Sequence, residues 1–287
     1  MKKKIPILLG LLLIILVAGS IVLYKTGSED VAKLYITQGT VEVNLGEGFV
    51  PAVDEMQLLQ GAIVRTGPDG RADIVLLEQD IVSLNPGTEV KLSDITPSRT
   101  ILEQREGSTW NRVEKITGRE YVLETPSSVA TVRGTGFLIS SDTLLVDDGQ
   151  VDLKHKESGE EIAVTAGELI RQIHAGELKK EDLSVEDLKI IREKVLHDIE
   201  VLKRERRAAF AKHKIIYQQM KKKYGLSDED VYQFLEDLDS GKRDFSSIED
   251  KLPFKPKVLE KMKRHTQRIQ TLQKRLERID ARIAELS

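Results

Sequence analysis

Five histidines, His155, His174, His197, His213 and His265, are the residues best suited to base chemistry or metal ligation near neutral pH. None stands in an HExxH or paired-ligand spacing. Gly134-Thr135-Gly136 lacks the Gly-Lys-Ser/Thr end of a phosphate loop and lies among strand-like runs. Asp147-Asp148 are adjacent acids at a turn, a pair that can meet a cation but is ordinarily solvated. There is no GxSxG elbow. The absence of cysteine removes disulfides, thiolate metal sites, cysteine nucleophiles and a lipid-modified N-terminal cysteine. No nucleophile and base present themselves together. The expectation is a protein that is not an enzyme, with no catalytic, cofactor-binding or metal residues and no cofactor.

The elements around these residues divide by charge. The net charge of −3 over 287 residues is the sum of unlike segments. Residues 1–25 hold four lysines and no acid, residues 26–180 hold 26 acids against 15 bases, and residues 181–287 hold 25 bases against 21 acids. The acidic middle argues against nucleic-acid binding, which needs a basic surface. The mixed signs of the last segment read as a solvated helical surface.

Lys2, Lys3 and Lys4 precede an uncharged run from Ile5 to Tyr24. Twenty such residues make a helix of about 30 Å, the thickness of a bilayer core. With the lysines on the cytoplasmic side, the rest of the chain faces out. The expected reading is a membrane anchor over residues 5–24, within a segment 1–25, and a single-pass protein with its bulk periplasmic or extracellular. The alternative is an exported protein whose leader is cleaved, with Val17-Ala18-Gly19 as the small-residue site.

From Val31 the texture becomes short alternating runs: Leu34 and Ile36, Val41 and Val43, Ala72, Ile74 and Leu76, Val90 and Leu92, and onward to Ile162 and Val164. Gly39, Gly67-Pro68-Asp69-Gly70, Asn85-Pro86-Gly87 and Gly134 punctuate them. About a dozen strands at this spacing predict an all-β domain over 31–167, solenoid-like or sandwich-like.

Particular residues carry a resemblance. They are Gly39-Thr40-Val41; Gly61 with Val64-Arg65-Thr66-Gly67; Leu84 with Pro86 and Thr88; Thr125-Pro126; Val132-Arg133-Gly134-Thr135 with Phe137; Asp148-Gly149-Gln150-Val151; and Thr165-Ala166-Gly167. In this order they resemble the FecR-domain family of extracytoplasmic β domains, the stretch from Thr125 to Phe137 being the most specific. The resemblance implies an exported, largely β fold of solenoid-like character and a binding or signalling role. Thr125, Pro126, Arg133, Gly134, Thr135, Phe137 and Gly149 are expected to be scaffold residues, with Arg133 pairing a carboxylate of a neighbouring strand to lock its corner. The family's best-known regulators carry a sigma-factor-binding domain ahead of the membrane helix. Here only Met1 to Lys4 precede the apolar run, so the resemblance is not extended to that activity.

Residues 168–183 read as a linker and 184–287 as a helical region. Ser184 with Asp187 resembles a capped helix start, followed by one apolar face of Leu188, Ile191, Val195, Ile199 and Leu202. Gly225 is an expected stop, and Ser227 with Asp228-Glu229-Asp230 starts a shorter helix. After Pro253 and Pro256 a heptad seam runs through Val258, Met262, His265, Ile269, Leu272, Leu276, Ile279, Ile283 and Leu286. It can close on the first helix as an intramolecular hairpin or build a parallel homo-oligomer through 258–286, in which Arg275 would meet Asp280 of the second copy.

The fold class expected is α+β in sequential segments: an N-terminal transmembrane helix, an all-β FecR-type domain, and a C-terminal helical hairpin or coiled coil. The expected function is a membrane-anchored scaffold or binding protein of the cell envelope that recognises a wall glycan or an envelope protein. A single-pass signalling component sensing an envelope event is the alternative.

Overall fold

The computed structural model of the protein describes residues 31–212, 218, 222, 227–244 and 257–287. The first strands are β1 (Ala32–Gln38), β2 (Val41–Asn44), β3 (Phe49–Pro51), β4 (Met56–Leu58), β5 (Ile63–Thr66) and β6 (Arg71–Leu76). There follow β7 (Asp80–Leu84), β8 (Glu89–Thr96), β9 (Arg99–Glu106), β10 (Ser108–Arg112), β11 (Glu120–Glu124) and β12 (Ser128–Val132). The last are β13 (Gly136–Ser140), β14 (Leu144–Asp148), β15 (Gln150–His155), β16 (Glu161–Thr165), β17 (Glu168–Ile170) and β18 (Lys180–Asp182). Helices α1 (Val185–Lys212), α2 (Asp228–Asp239) and α3 (Lys257–Leu286) complete the described chain.

The strands form two nine-stranded sheets. Sheet A has the order β18-β17-β14-β13-β10-β7-β6-β1-β4, and sheet B the order β16-β15-β12-β11-β9-β8-β5-β2-β3. Neighbours are antiparallel except β9 and β11, which run parallel from Arg99↔Glu120 to Glu103↔Glu124. The chain zigzags between the layers, commonly making two strands in one sheet before turning a corner into the other. Alternating side chains such as Val41, Val43, Val64, Val90, Leu92 and Leu102 point between the sheets and are buried there. Each such aliphatic residue contributes ~1.5–3 kcal/mol of burial.

The second face of sheet A is also apolar: Tyr35, Val75, Ile81, Trp110, Leu145 and Leu169 are buried. Helices α1 and α3 lie across it, antiparallel to one another, since Arg192 pairs with Asp280 and Arg206 with Thr266. The stripe Leu188, Ile191, Val195, Ile199 and Leu202 is buried in this second core. Met262, Ile269, Leu272 and Ile279 are buried, while Leu276 and Ile283 pack at the core's margin. From Met262 to Ile279 the seam of α3 therefore faces α1 and sheet A, so most of the surface that would have served a homo-oligomer through 258–286 is covered by the chain itself, while Leu286 at its end stays exposed. Arg275 bonds Asp147 and Asp280 bonds Arg192, all within one chain.

The expected fold class is corrected by this architecture. The protein is β-rich, with two sheets and three helices among the described residues, and none of those helices is long and apolar enough to span a membrane. The helical region is a third layer on the sandwich rather than a separate segment following it. The stretch 168–183, expected as a linker, supplies β17 and β18 at the edge of sheet A, with Leu169, Ile170 and Ile173 buried. The anchor over 5–24, the stop at Gly225, the prolines 253 and 256 and the side chain of Val258 lie outside the described residues.

Candidate functional site

The charged groups the molecule buries gather where the helices meet sheet A. Asn111 and Tyr121 hydrogen-bond inside the sandwich, but the flanking β10 residues Trp110 and Arg112 point outward toward α1. Arg112 Nε donates to Asp198 of α1 at 2.8 Å, and Nη2 donates to Asp147 of β14 at 3.0 Å. Trp110 Nε1 donates to the same Asp198 carboxylate at 3.0 Å, with the Arg112 guanidinium 5.2 Å from its ring. Asp147 also accepts from Arg275 of α3 at 2.9 Å. Two strands and two helices are thus joined by one cluster of acidic and basic side chains with little access to water.

Burial pushes the Asp198 carboxyl upward, and the Arg112 guanidinium and Trp110 N–H oppose it. Burial also acts to strip Arg112 of its proton, but the Asp198 and Asp147 carboxylates outweigh it and hold the guanidinium above its ordinary range. Such a cluster adds little net stability relative to apolar packing, because desolvation offsets the attraction, yet losing one member costs several kcal/mol.

A second cluster flanks the first. Asp80 is buried, receives the Glu114 N–H at 2.8 Å and pairs with Arg119. Desolvation raises its pKa against that pairing. Glu114 pairs in turn with Arg268 of α3 at 2.9 Å, and burial lowers the Arg268 pKa. On the other side His197 of α1 meets Asp73 of β6 at 2.8 Å, and Asp73 accepts from Ser83 and Thr37. That bond holds the His197 pKa above its usual value despite burial. Tyr35 bonds Glu205, and Arg206 links Asp239 at 2.7 Å to Thr266 at 2.8 Å, joining the three helices.

Of the family-motif residues, Arg133, Gly134, Thr135 and Gly149 sit at corners where the chain changes sheet, whereas Thr125 and Pro126 lie in the turn between β11 and β12 of sheet B and Phe137 lies within β13. Gly134 has φ +70 and an added Cβ would lie 2.7 Å from Lys115 Cα. Gly149 has φ +78, and an added Cβ would lie 2.6 Å from the Gly134 carbonyl oxygen. The two corners therefore press backbone against backbone, and Thr135 Oγ1 donates to the Gln150 carbonyl at 3.0 Å across them. A like device recurs at Thr66 and Thr88, whose hydroxyls reach the carbonyls of Asn85 and Ser108. Thr125 is buried and accepts the Ser128 N–H, Pro126 is exposed, and Phe137 is fully buried between the sheets.

Arg133 departs from expectation: it is exposed and pairs with no carboxylate among the described residues. The arginine that ties this region together is Arg112, followed 24 residues later by Gly136, whose missing side chain makes room for the guanidinium. Nothing in the sequence marks Trp110, Arg112, Asp147 and Asp198 as a group. The one signal for its members is an Arg at an alternate position beside a Trp in a strand, with an Asp interrupting the apolar face of α1.

The four described histidines form no common site. His155 Nδ1 meets Ser158, His174 meets Asp142, and His197 meets Asp73. His265 is buried on α3 with neither ring nitrogen hydrogen-bonded, and burial with the nearby Arg268 and Lys261 lowers its pKa to about 3. His213 lies outside the described residues. Among the described residues no three His, Asp or Glu side chains are grouped to hold a metal ion.

Among the described residues the outer face of sheet B carries no helix. Many of its charges are paired: Arg65 with Glu42 at 2.7 Å, Arg105 with Glu89 at 3.2 Å, Arg99 with Glu120 at 3.2 Å and Lys154 with Glu161 at 2.7 Å. Its strands bear two aromatic rings, one buried and one partly exposed beneath a guanidinium. Tyr121 is buried, and Phe49 lies beneath the Arg65 guanidinium at 3.9 Å.

Residues 62–168 match the family described as FecR protein. No curated protein matches the chain. Two crystal structures of a candidate anti-sigma factor from Parabacteroides distasonis ATCC 8503 are similar to it. One is 20% identical with a TM-score of 0.38, over 42% of this chain and 59% of that one. The other is 19% identical with a TM-score of 0.40, over 48% of this chain and 72% of that one.

Proposed function

We propose, from a FecR domain over residues 62–168, that this is a non-catalytic binding protein working outside the cytoplasm, with another protein of the envelope as its ligand. The observation that carries the choice of ligand is the outer face of sheet B. It is a broad surface of largely paired charges, on which Tyr121 is buried and the partly exposed Phe49 has Arg65 laid over its ring. Sugar rings are commonly held by stacking on exposed aromatic faces, whereas paired charges suit exchange with a protein surface of alternating sign. The buried acids Asp80, Asp147 and Asp198 are engaged in holding helices and strands together, which supports a structural use of the titratable interior. Placement outside the cytoplasm is supported by Lys2, Lys3 and Lys4 ahead of the uncharged run from Ile5 to Tyr24.

The test is photo-crosslinking in cells from Ile101 and Thr131 on the outer face of sheet B, against Lys189 on α1 as control. A discrete envelope-protein adduct from the sheet positions, absent from the control, is the expected result. Retention of the protein on purified wall polymer at low salt, with no protein adduct, would replace this reading with a glycan ligand. Protease protection in intact and opened cells tests the compartment.

A further inference from the structure

Among the described residues the two sheets have four edge strands: β18 and β4 in sheet A, β16 and β3 in sheet B. Open edges are templates for further strands, and proteins blunt them with shortness, charge or proline. Three of the four are blunted. β4 has three residues, β3 has three and ends in Pro51, and β18 is Lys180-Glu181-Asp182. The fourth, β16, has five residues, Glu-Ile-Ala-Val-Thr, with no proline, lysine or register shift.

The hydrogen-bond phase of β16 is fixed by its neighbours. Ala166 N–H donates to Gly149 at 3.0 Å and Glu160 accepts from His155 at 2.9 Å, so even-numbered residues turn their backbone groups toward β15. Glu161, Ala163 and Thr165 turn theirs outward. The Thr165 N–H is taken by the Glu168 carboxylate at 2.8 Å. Ala163, at the centre, presents both N–H and C=O at the open edge, with a small exposed side chain.

We propose that this edge is a self-association site, in which a second copy of the chain adds its own β16 antiparallel, with the two-fold axis at Ala163. The strand is complementary to itself in that register once the Glu168 carboxylate yields the Thr165 N–H to the Glu161 carbonyl of the second copy. Ala163 meets Ala163 of the other copy as a hydrogen-bonded pair, and Glu161 meets Thr165, so no like charges stand opposite. On the core face Ile162 meets Val164, and Ile162, only partly buried in one chain, gains cover. The outcome is one continuous sheet built from two sheets B. The site is distinct from α3, whose seam is mostly spent within the chain, and it does not depend on the ligand proposed above.

The chain has no cysteine, so single cysteines introduced into the full-length protein report the register directly. In a hydrogen-bonded antiparallel pair the Cα atoms are about 5.5 Å apart, within reach of a disulfide. Ala163→Cys should be captured as a covalent dimer under mild oxidation. Thr165→Cys should not, since two such residues stand about 13 Å apart in this register. The double variant Glu161→Cys, Thr165→Cys should be captured, and adding Ala163→Pro, or Ala163→Lys if the proline impairs folding, should abolish it. Equal capture of Ala163→Cys and Thr165→Cys, or no Ala163→Cys dimer from a chain that still melts cooperatively, would overturn the proposal.

Discussion

Gly136 of β13 lies against the guanidinium of Arg112, so close that a Cβ at position 136 would fall inside it. The neighbouring strand pairs Arg112 with Gly136 directly. The glycine is therefore part of the ionic cluster without contributing a charge. Gly136→Ala should displace the guanidinium from Asp147 and Asp198 and cost about 3 kcal/mol, the scale of breaking a buried ion pair. Urea denaturation of the two proteins measures it. A change below about 0.5 kcal/mol would mean that Arg112 has room to move.

Asp198 bonds both Trp110 and Arg112 from α1. Asp198→Ala should leave a buried cation short of one carboxylate and an indole N–H without its acceptor, with a loss of about 3–5 kcal/mol. Trp110 is the chain's single tryptophan and is fully buried beneath the helices. Its fluorescence therefore reports docking of α1. A red-shifted emission maximum in Asp198→Ala, with the β signal of circular dichroism retained, is expected if the helical layer loosens before the sandwich unfolds.

Periodicity made much of this layer legible. The stripe from Leu188 to Leu202 and the seam from Met262 to Ile283 mark the faces that become buried, because a helix declares its apolar side in the 3.6-residue repeat. The Ser184–Asp187 cap was readable for the same local reason, and the reciprocal bonds are present at 2.9 Å and 3.2 Å. What the helices pack against was not legible. Tyr35, Val75, Ile81 and Leu145 belong to strands that face apolar matter on both sides, and a short apolar run does not say which layer covers it. The ionic cluster joins residues 86 positions apart in Arg112 and Asp198, a relation with no local signature.

Stability should respond to acid through His265. Its folded pKa is lowered to about 3 from an ordinary 6.5, so the folded state keeps it neutral while the unfolded chain takes up a proton. The contribution is intact above pH ~6.5 and is lost progressively as pH falls from there toward 3. His197 acts in the opposite sense. Its raised pKa gives stability that is present below pH ~6.5 and lost as pH rises through the folded value. His265→Leu should flatten the acid limb of a stability–pH profile, and His197→Asn the limb above neutrality. Parallel profiles for wild type and both variants would refute both assignments.

Two neighbouring motif positions should separate scaffold from surface. Gly149 holds φ +78 with the Gly134 carbonyl in the space a Cβ would take, so Gly149→Ala combines backbone strain with a backbone collision. Strain of this kind costs about 1–3 kcal/mol at one residue, and the collision adds to it because neither corner can withdraw without breaking the Thr135–Gln150 bond. Arg133 is one residue from that corner but exposed, with no carboxylate partner among the described residues. Arg133→Ala should change stability by less than about 0.5 kcal/mol, as exposed substitutions away from such features do. Thermal melts of the two variants make the comparison. A large loss in Arg133→Ala would restore the locking role its position in the motif suggested, and a neutral Gly149→Ala would show that the corners can part.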